Sequence, residues 1–230
     1  MQLIHYNFRD SEDALIYVHI GKCGGASLAK SIAESEVLKS KFNTICKVHI
    51  EKPPILKRAN YLVVVRNPIE RAISAFNWRY KLVVEDEAQR DRFLGEWDIL
   101  KRYESISKLA DALYDNDNLN EGVARDFRRI HHLKEDMVFY LHDLLKNIKP
   151  KQIFAVLSTE TLDFDVQKLL GVPSVPRVHS HAHMVSNEKK SLSLQARANL
   201  RKFLQPDYDC LETILQMNPS THCDKVSLLY

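Results

Sequence analysis

The chain has only four cysteines in 230 residues, and Cys23, Cys46, Cys210 and Cys223 form no CxxC pair and no framework-like spacing. That sets aside a disulfide framework and leaves a reduced, cytoplasmic protein as the expectation. No stretch approaches the roughly 18 uninterrupted apolar residues of a membrane span. The opening residues, Met1 to Asp13, are polar and acidic, unlike a signal peptide. An excess of one charge is missing as well: 33 Lys and Arg stand against 30 Asp and Glu, for a formal net charge of +3. That balance argues against a bulk nucleic-acid binder, although a local positive pocket for a small anion is compatible with it. Internal repeats and low-complexity segments are also absent.

What is present is a globular composition, with 45% hydrophobic and 27% charged residues. The length suits one domain over 1–230 with a sizeable core. Strands are expected at Leu15–Ile20, Thr44–Ile50, Tyr61–Val65 and Gln152–Leu157, with Pro53-Pro54 closing the second. The third is apolar throughout, the pattern of a strand buried on both faces of a parallel sheet. Helices are expected from about Ala26, over Ile69–Tyr80 after Pro68, and over Thr161–Leu170, which Gly171 stops. Two more are expected at Ser193–Leu204 and Tyr208–Met217, and a long charged helical stretch between about Glu85 and Lys149. Strands alternating with helices predict an α/β fold with a parallel sheet and right-handed crossovers. Residues 83–134 form a largely helical insert in that reading.

Two strand-to-helix junctions carry the chemistry. After the first strand comes Gly21-Lys22-Cys23-Gly24-Gly25-Ala26-Ser27-Leu28. A glycine loop opening a helix presents unpaired amides and a dipole that favour an anion, with Lys22 and the Ser27 hydroxyl beside it. The Walker pattern would need lysine directly after the last glycine. Ala26 stands there and the lysine lies before the glycines, so a triphosphate loop is disfavoured. After the third strand comes Arg66-Asn67-Pro68-Ile69-Glu70-Arg71-Ala72-Ile73-Ser74. Arg66 leaves the carboxyl end of a strand and Ser74 lies on the next helix, so both can converge on one phosphate. Arg71 is read as structural, paired with Glu70 or another surface acid.

Both motifs, in this order, resemble those of sulfotransferases, and the loop resembles most the carbohydrate group with its PKTGGTS-like sequence. Gly21 and Cys23 depart from the usual proline and threonine, and Asn67 from the commoner aspartate. The resemblance covers most of the chain, through Phe154–Leu157 and Leu169-Leu170-Gly171-Val172-Pro173, but not Val83 to about Lys134. It implies a P-loop-like three-layer α/β/α fold and 3′-phosphoadenosine-5′-phosphosulfate (PAPS) as donor, with the bisphosphate PAP as product. Residues Gly21 to Leu28 would then hold the 5′-phosphosulfate, and Arg66 and Ser74 the 3′-phosphate. Lys22 would offset charge developing on the leaving oxygen. No metal is expected in the transfer.

In uronyl and glucosaminyl sulfotransferases a catalytic histidine falls between the two motifs, and by that resemblance His49 is the expected base, with Glu51 as the fallback if the strand continues. His19 is read as structural. His179, His181 and His183 could share one face of an extended segment and hold zinc. A loop bringing Arg177 or these histidines to the 3′-phosphate or acceptor is preferred. His131 and His132 are read as part of a solvated helical face. The expected partner is a hydroxyl-bearing acceptor, a saccharide or glycoconjugate, with no nucleic acid. Arginines and lysines of the insert, with Trp97 and Tyr103, could line a groove for it or simply be solvated. The competing readings are a P-loop kinase or hydrolase, and a non-catalytic binder of anionic glycans.

Overall fold

The computed structural model of the chain describes residues 14–171, 191–218 and 228–229. Its strands are β1 (Ala14–His19), β2 (Thr44–Val48), β3 (Asn60–Val65), the short pair β4 (Tyr114–Asp115) and β5 (Asn118–Leu119), and β6 (Ile153–Ser158). Its helices are α1 (Gly25–Glu34), α2 (Glu36–Lys41), α3 (Pro68–Tyr80), α4 (Glu96–Tyr103), α5 (Ile106–Asp111), α6 (Glu121–Phe127), α7 (Met137–Asn147), α8 (Leu162–Leu170), α9 (Leu194–Phe203) and α10 (Gln205–Met217). Two compact units emerge among these residues. One draws on 14–67, 137–171 and the C-terminal residues from 207, the other on 68–136 and 191–206.

The first unit holds a four-stranded parallel sheet in the order β2-β1-β3-β6, flanked by helices. The α/β expectation therefore holds. Every residue of β1, and Tyr61 to Val65 of β3, is buried, as the inner strands of a parallel sheet require. Leu28 and Ile32 turn α1 toward the same core. The chain leaves β1 to pair on one side as β2, then returns on the other as β3. The carboxyl ends of β1 and β3 thus flank a topological switch point, where open α/β sheets receive ligands.

The second unit is mostly helical. Pro68 opens α3 at its first position, where the missing N–H costs nothing. Arg79 of that helix is fully buried and forks onto Glu96 of α4 through Nε and Nη2 at 3.0 and 2.6 Å. Ser193 caps α9 by accepting from the Ala196 N–H at 2.8 Å.

The long helical stretch expected from about Glu85 to Lys149 is instead broken into short helices. Gly95 and Glu104 take left-handed backbone at φ 75° and 59°, starting and stopping α4. Asn116 and Asp117 both have positive φ, 45° and 68°, which makes a tight hairpin turn between β4 and β5. The π-helical stretch Lys81–Glu85 ends the run from α3. Elsewhere the expected elements agree with the observed ones within two or three residues. Among the described residues, no helix is long and apolar enough to cross a membrane.

Candidate functional site

The glycine loop follows β1 and turns tightly. The Cys23 N–H donates to the Ile20 carbonyl at 3.3 Å. Lys22 and Gly24 adopt left-handed backbone, φ 70° and 73°. Glycine tolerates this freely, whereas at Lys22 it costs of order 1–3 kcal/mol. The Leu28 N–H closes the first helical bond of α1 on the Gly24 carbonyl at 3.3 Å. The amides before it, Gly24 to Ser27, therefore have no acceptor inside the helix, and no side chain caps that end. Lys22 adds a half-buried positive charge beside them. Uncapped amides, a helix dipole and an ammonium together fit an anionic group such as a phosphosulfate.

The two departures in the loop have different structural consequences. Gly21 does not share the positive φ of Gly24. Cys23 is fully buried in the hydrophobic core, with its Sγ 3.9 Å from the Gly21 carbonyl oxygen. A core-facing thiol occupies this position, so the loop contributes backbone here rather than a side-chain hydroxyl.

Arg66 reaches the same place from β3. Its Nη1 donates to the Lys22 carbonyl at 3.2 Å, so a guanidinium clamps the strained residue of the loop. The two motifs thus meet across the switch point. Asn67 is buried and ties other elements together. Its Nδ2 donates to the Leu228 carbonyl at 3.2 Å, its Oδ1 accepts from the Tyr208 hydroxyl at 3.3 Å, and its N–H donates to Glu160 Oε1 at 3.2 Å. An aspartate could not donate to Leu228, which accounts for the amide in this chain.

His49 follows β2 and His19 ends β1. Because Val18 pairs with Val48 in the parallel register, the two histidines stand abreast. Their rings stack at 4.1 Å with 15° between planes, and His49 Nδ1 lies 3.0 Å from the His19 carbonyl oxygen. A carbonyl can only accept, so Nδ1 carries the proton and the neutral ring keeps its lone pair on Nε2. His19 is buried. Burial first, then the adjacent His49 ring and the positive charges of Lys47 and Lys22, lower its pKa to about 2. It stays neutral at all working pH values.

The His19 ring also rests directly on the loop. A Cβ at Gly25 would lie 1.8 Å from its Cδ2. Two residues earlier on β1, Tyr17 donates its hydroxyl to the Gly25 carbonyl at 3.2 Å. Gly25 is therefore required by contact with His19 rather than by its own φ. Sequence alternation along β1 gave no hint of this, since it depends on how the loop folds back over the end of β1.

Glu51 does not share the face of His49. The strand ends at Val48 and Ile50 takes φ 64°, which breaks the alternation that would have aligned them. Ser74 lies half-buried on α3 in the second unit. Arg71 is structural. Its Nη2 donates to the carbonyls of His132 and Glu135, while Glu70 faces Arg197 at 3.9 Å. His131 and His132 sit in a partly buried turn rather than on a solvated helix. Arg177, His179, His181 and His183 lie outside the described residues, as does Cys223; Cys23, Cys46 and Cys210 are buried and in no disulfide.

A model of the sulfotransferase family matches residues 5–212 of the chain. No curated protein and no solved structure matches it.

Proposed function

Because the chain belongs to the sulfotransferase family, whose enzymes depend on PAPS, we propose that it binds this donor at the switch point and passes the sulfonate to a hydroxyl of a saccharide or glycoconjugate. The contact between Arg66 Nη1 and the Lys22 carbonyl, 3.2 Å, carries this reading. It brings a second cation to the anion-binding loop, which a donor charged at both its 5′ and 3′ positions needs. In this reading the whole chain, 1–230, works as one sulfotransferase domain with an insert at about 83–134.

When bound, the donor supplies a sulfonate activated on a phosphate leaving group. The residues Gly21 to Leu28 wrap the 5′-phosphosulfate, with the amides of Gly24, Gly25, Ala26 and Ser27 donating to it. Arg66 and Ser74 take the 3′-phosphate, the group that separates this donor from adenosine triphosphate. His49 Nε2 accepts the acceptor's hydroxyl proton as the new O–S bond forms. The S–O bond to the phosphate breaks in line, and the electron pair departs with the bridging oxygen. Lys22 offsets the charge that collects there, an electrostatic contribution typically large in group transfer. His19 holds His49 in the required tautomer through its carbonyl.

Calorimetry with 3′-phosphoadenosine-5′-phosphate, adenosine 5′-phosphate and adenosine triphosphate tests the donor. Tight binding of the first alone is expected, and preference for the triphosphate with magnesium would overturn the reading. A screen of glycan, lipid and phenol acceptors with labelled donor tests the acceptor class. Donor binding without transfer to any of them, together with unaltered behaviour of His49→Ala, would favour a non-catalytic binder.

A further inference from the structure

The turn between α6 and α7, in the second unit, gathers three side chains of metal-ligand type that the proposed transfer does not use. The donor atoms of His131, His132 and Glu135 all lie within 4.8 Å of one another. His131 Nδ1 and Glu135 Oε2 are 3.4 Å apart, with both side chains only 11% and 10% exposed. Zinc binds imidazole nitrogen and carboxylate oxygen at roughly 2.0–2.1 Å, so the edge of its tetrahedron is about 3.3 Å. One edge of such a site is therefore already formed, and side-chain rotations that shorten the others, at most 4.8 Å, by up to about 1.5 Å complete it.

Contacts behind these residues hold the turn in shape. His132 adopts left-handed backbone at φ 68°, a region uncommon for non-glycine residues in which histidine is among the enriched types. Here Arg71 Nη2 grips the carbonyls of both His132 and Glu135. The His132 N–H donates to Glu135 Oε2 at 3.0 Å, and the His131 N–H donates to Glu96 Oε1 at 2.8 Å. Glu96 is itself fixed by Arg79. Phe93 stacks on the His131 ring at 4.6 Å, and the two imidazoles lie 4.1 Å apart.

We propose that His131, His132 and Glu135 bind a zinc-class divalent cation through two imidazole nitrogens and one carboxylate oxygen, leaving a fourth position for water. The local charges decide the class. Glu96 and Glu135 are balanced by Arg71 and Arg79, so no strong negative field draws in magnesium or calcium. Affinity rests on the imidazoles, which favour zinc, nickel or copper. The cation would staple the turn that joins α6 to α7 and take no part in sulfonate transfer.

The test uses the full chain after dialysis against a chelator, titrated calorimetrically with zinc chloride, and with cobalt(II) followed in the visible spectrum. One zinc per chain, a raised Tm and cobalt d–d bands of four-coordinate intensity are expected, with no comparable response to magnesium. Glu135→Gln and His132→Asn should each weaken zinc binding more than about tenfold, while circular dichroism and binding of 3′-phosphoadenosine-5′-phosphate stay unchanged. Replacing His179, His181 and His183 together by asparagine should leave the zinc site intact. Binding that survives Glu135→Gln and His132→Asn, or that disappears in the triple variant, would overturn the assignment, as would no zinc binding at all. Should one single variant fail to fold, the other and the cobalt spectrum still decide. Failure of the donor reading would show in the bisphosphate titration alone, so the two outcomes are separable.

Discussion

His49 Nδ1 lies 3.0 Å from the main-chain oxygen of His19, and the two rings stack 4.1 Å apart. The carbonyl fixes the tautomer of one histidine, and the ring of the other fixes its plane. A base at this position would thus be oriented before any acceptor arrives. In the proposed mechanism, replacing the imidazole would remove the base and leave the residues of the donor-binding loop in place. His49→Ala should therefore lower kcat by about 10²–10⁴, with affinity for 3′-phosphoadenosine-5′-phosphate in calorimetry little altered. An equal loss in donor affinity would place His49 in binding instead.

His19 makes stability depend on pH. Its folded pKa is about 2 against an ordinary value of 6.5. Between those values the unfolded chain takes up a proton that the folded chain refuses, so stability falls as pH falls below 6.5. At or above neutrality both states are deprotonated and the effect vanishes. The slope is at most about 1.4 kcal/mol per pH unit for a single proton. Urea unfolding at pH 7, 6 and 5 should give a shallower acid loss in His19→Gln than in the unmodified chain. The change of slope, rather than the offset at pH 7, is the readout. Parallel curves would show that His19 is protonated when folded.

Gly25 and His19 should be coupled. A methyl at position 25 would lie 1.8 Å from one atom and 1.9 Å from another of the His19 ring, so ring or backbone must shift. Gly25→Ala should cost about 1–3 kcal/mol, the usual range for overpacking. In a His19→Ala background the same change should cost much less, giving a coupling energy of about 0.5–3 kcal/mol in a double-mutant cycle. Additive effects would mean that backbone entropy, not the ring, explains the glycine.

The parts of this fold legible in the sequence are those governed by local pattern. Tyr61–Val65 announced a buried strand by its unbroken apolar run, and Pro68, Gly171 and Ser193 marked helix boundaries by chemistry that acts within a turn. The two anion motifs were equally legible, because both combine a strand end with a helix start. What stayed hidden depends on partners distant in sequence. Nothing near Arg79 reveals that Glu96 neutralises it in the core, and nothing near Asn67 reveals the Leu228 carbonyl, 161 residues on. The broken insert was a different failure. Helix-favouring charges outweighed Asn116-Asp117, whose positive φ values sit in a hairpin turn that those residue types do favour.

Asn67 shows how a departure from a family pattern can be structural. Its Nδ2 faces the Leu228 carbonyl at 3.2 Å and its Oδ1 faces the Tyr208 hydroxyl at 3.3 Å, and the side chain is buried. Asn67→Asp would set a carboxylate oxygen against that carbonyl, leaving both acceptors without a proton between them. It would also bring negative charge toward Glu160, whose Oε1 accepts from the residue's own N–H. A buried polar group left unsatisfied costs about 1–3 kcal/mol, and more when charged. The urea midpoint of Asn67→Asp should therefore fall by at least that equivalent at pH 7 and recover partly in acid, where the carboxyl can carry a proton to Leu228. Affinity for 3′-phosphoadenosine-5′-phosphate should follow Arg66 rather than Asn67, so Arg66→Ala should weaken it far more than Asn67→Asp does. An Asn67→Asp variant as stable as the original chain at neutral pH would show that the Leu228 contact does not hold the amide in place.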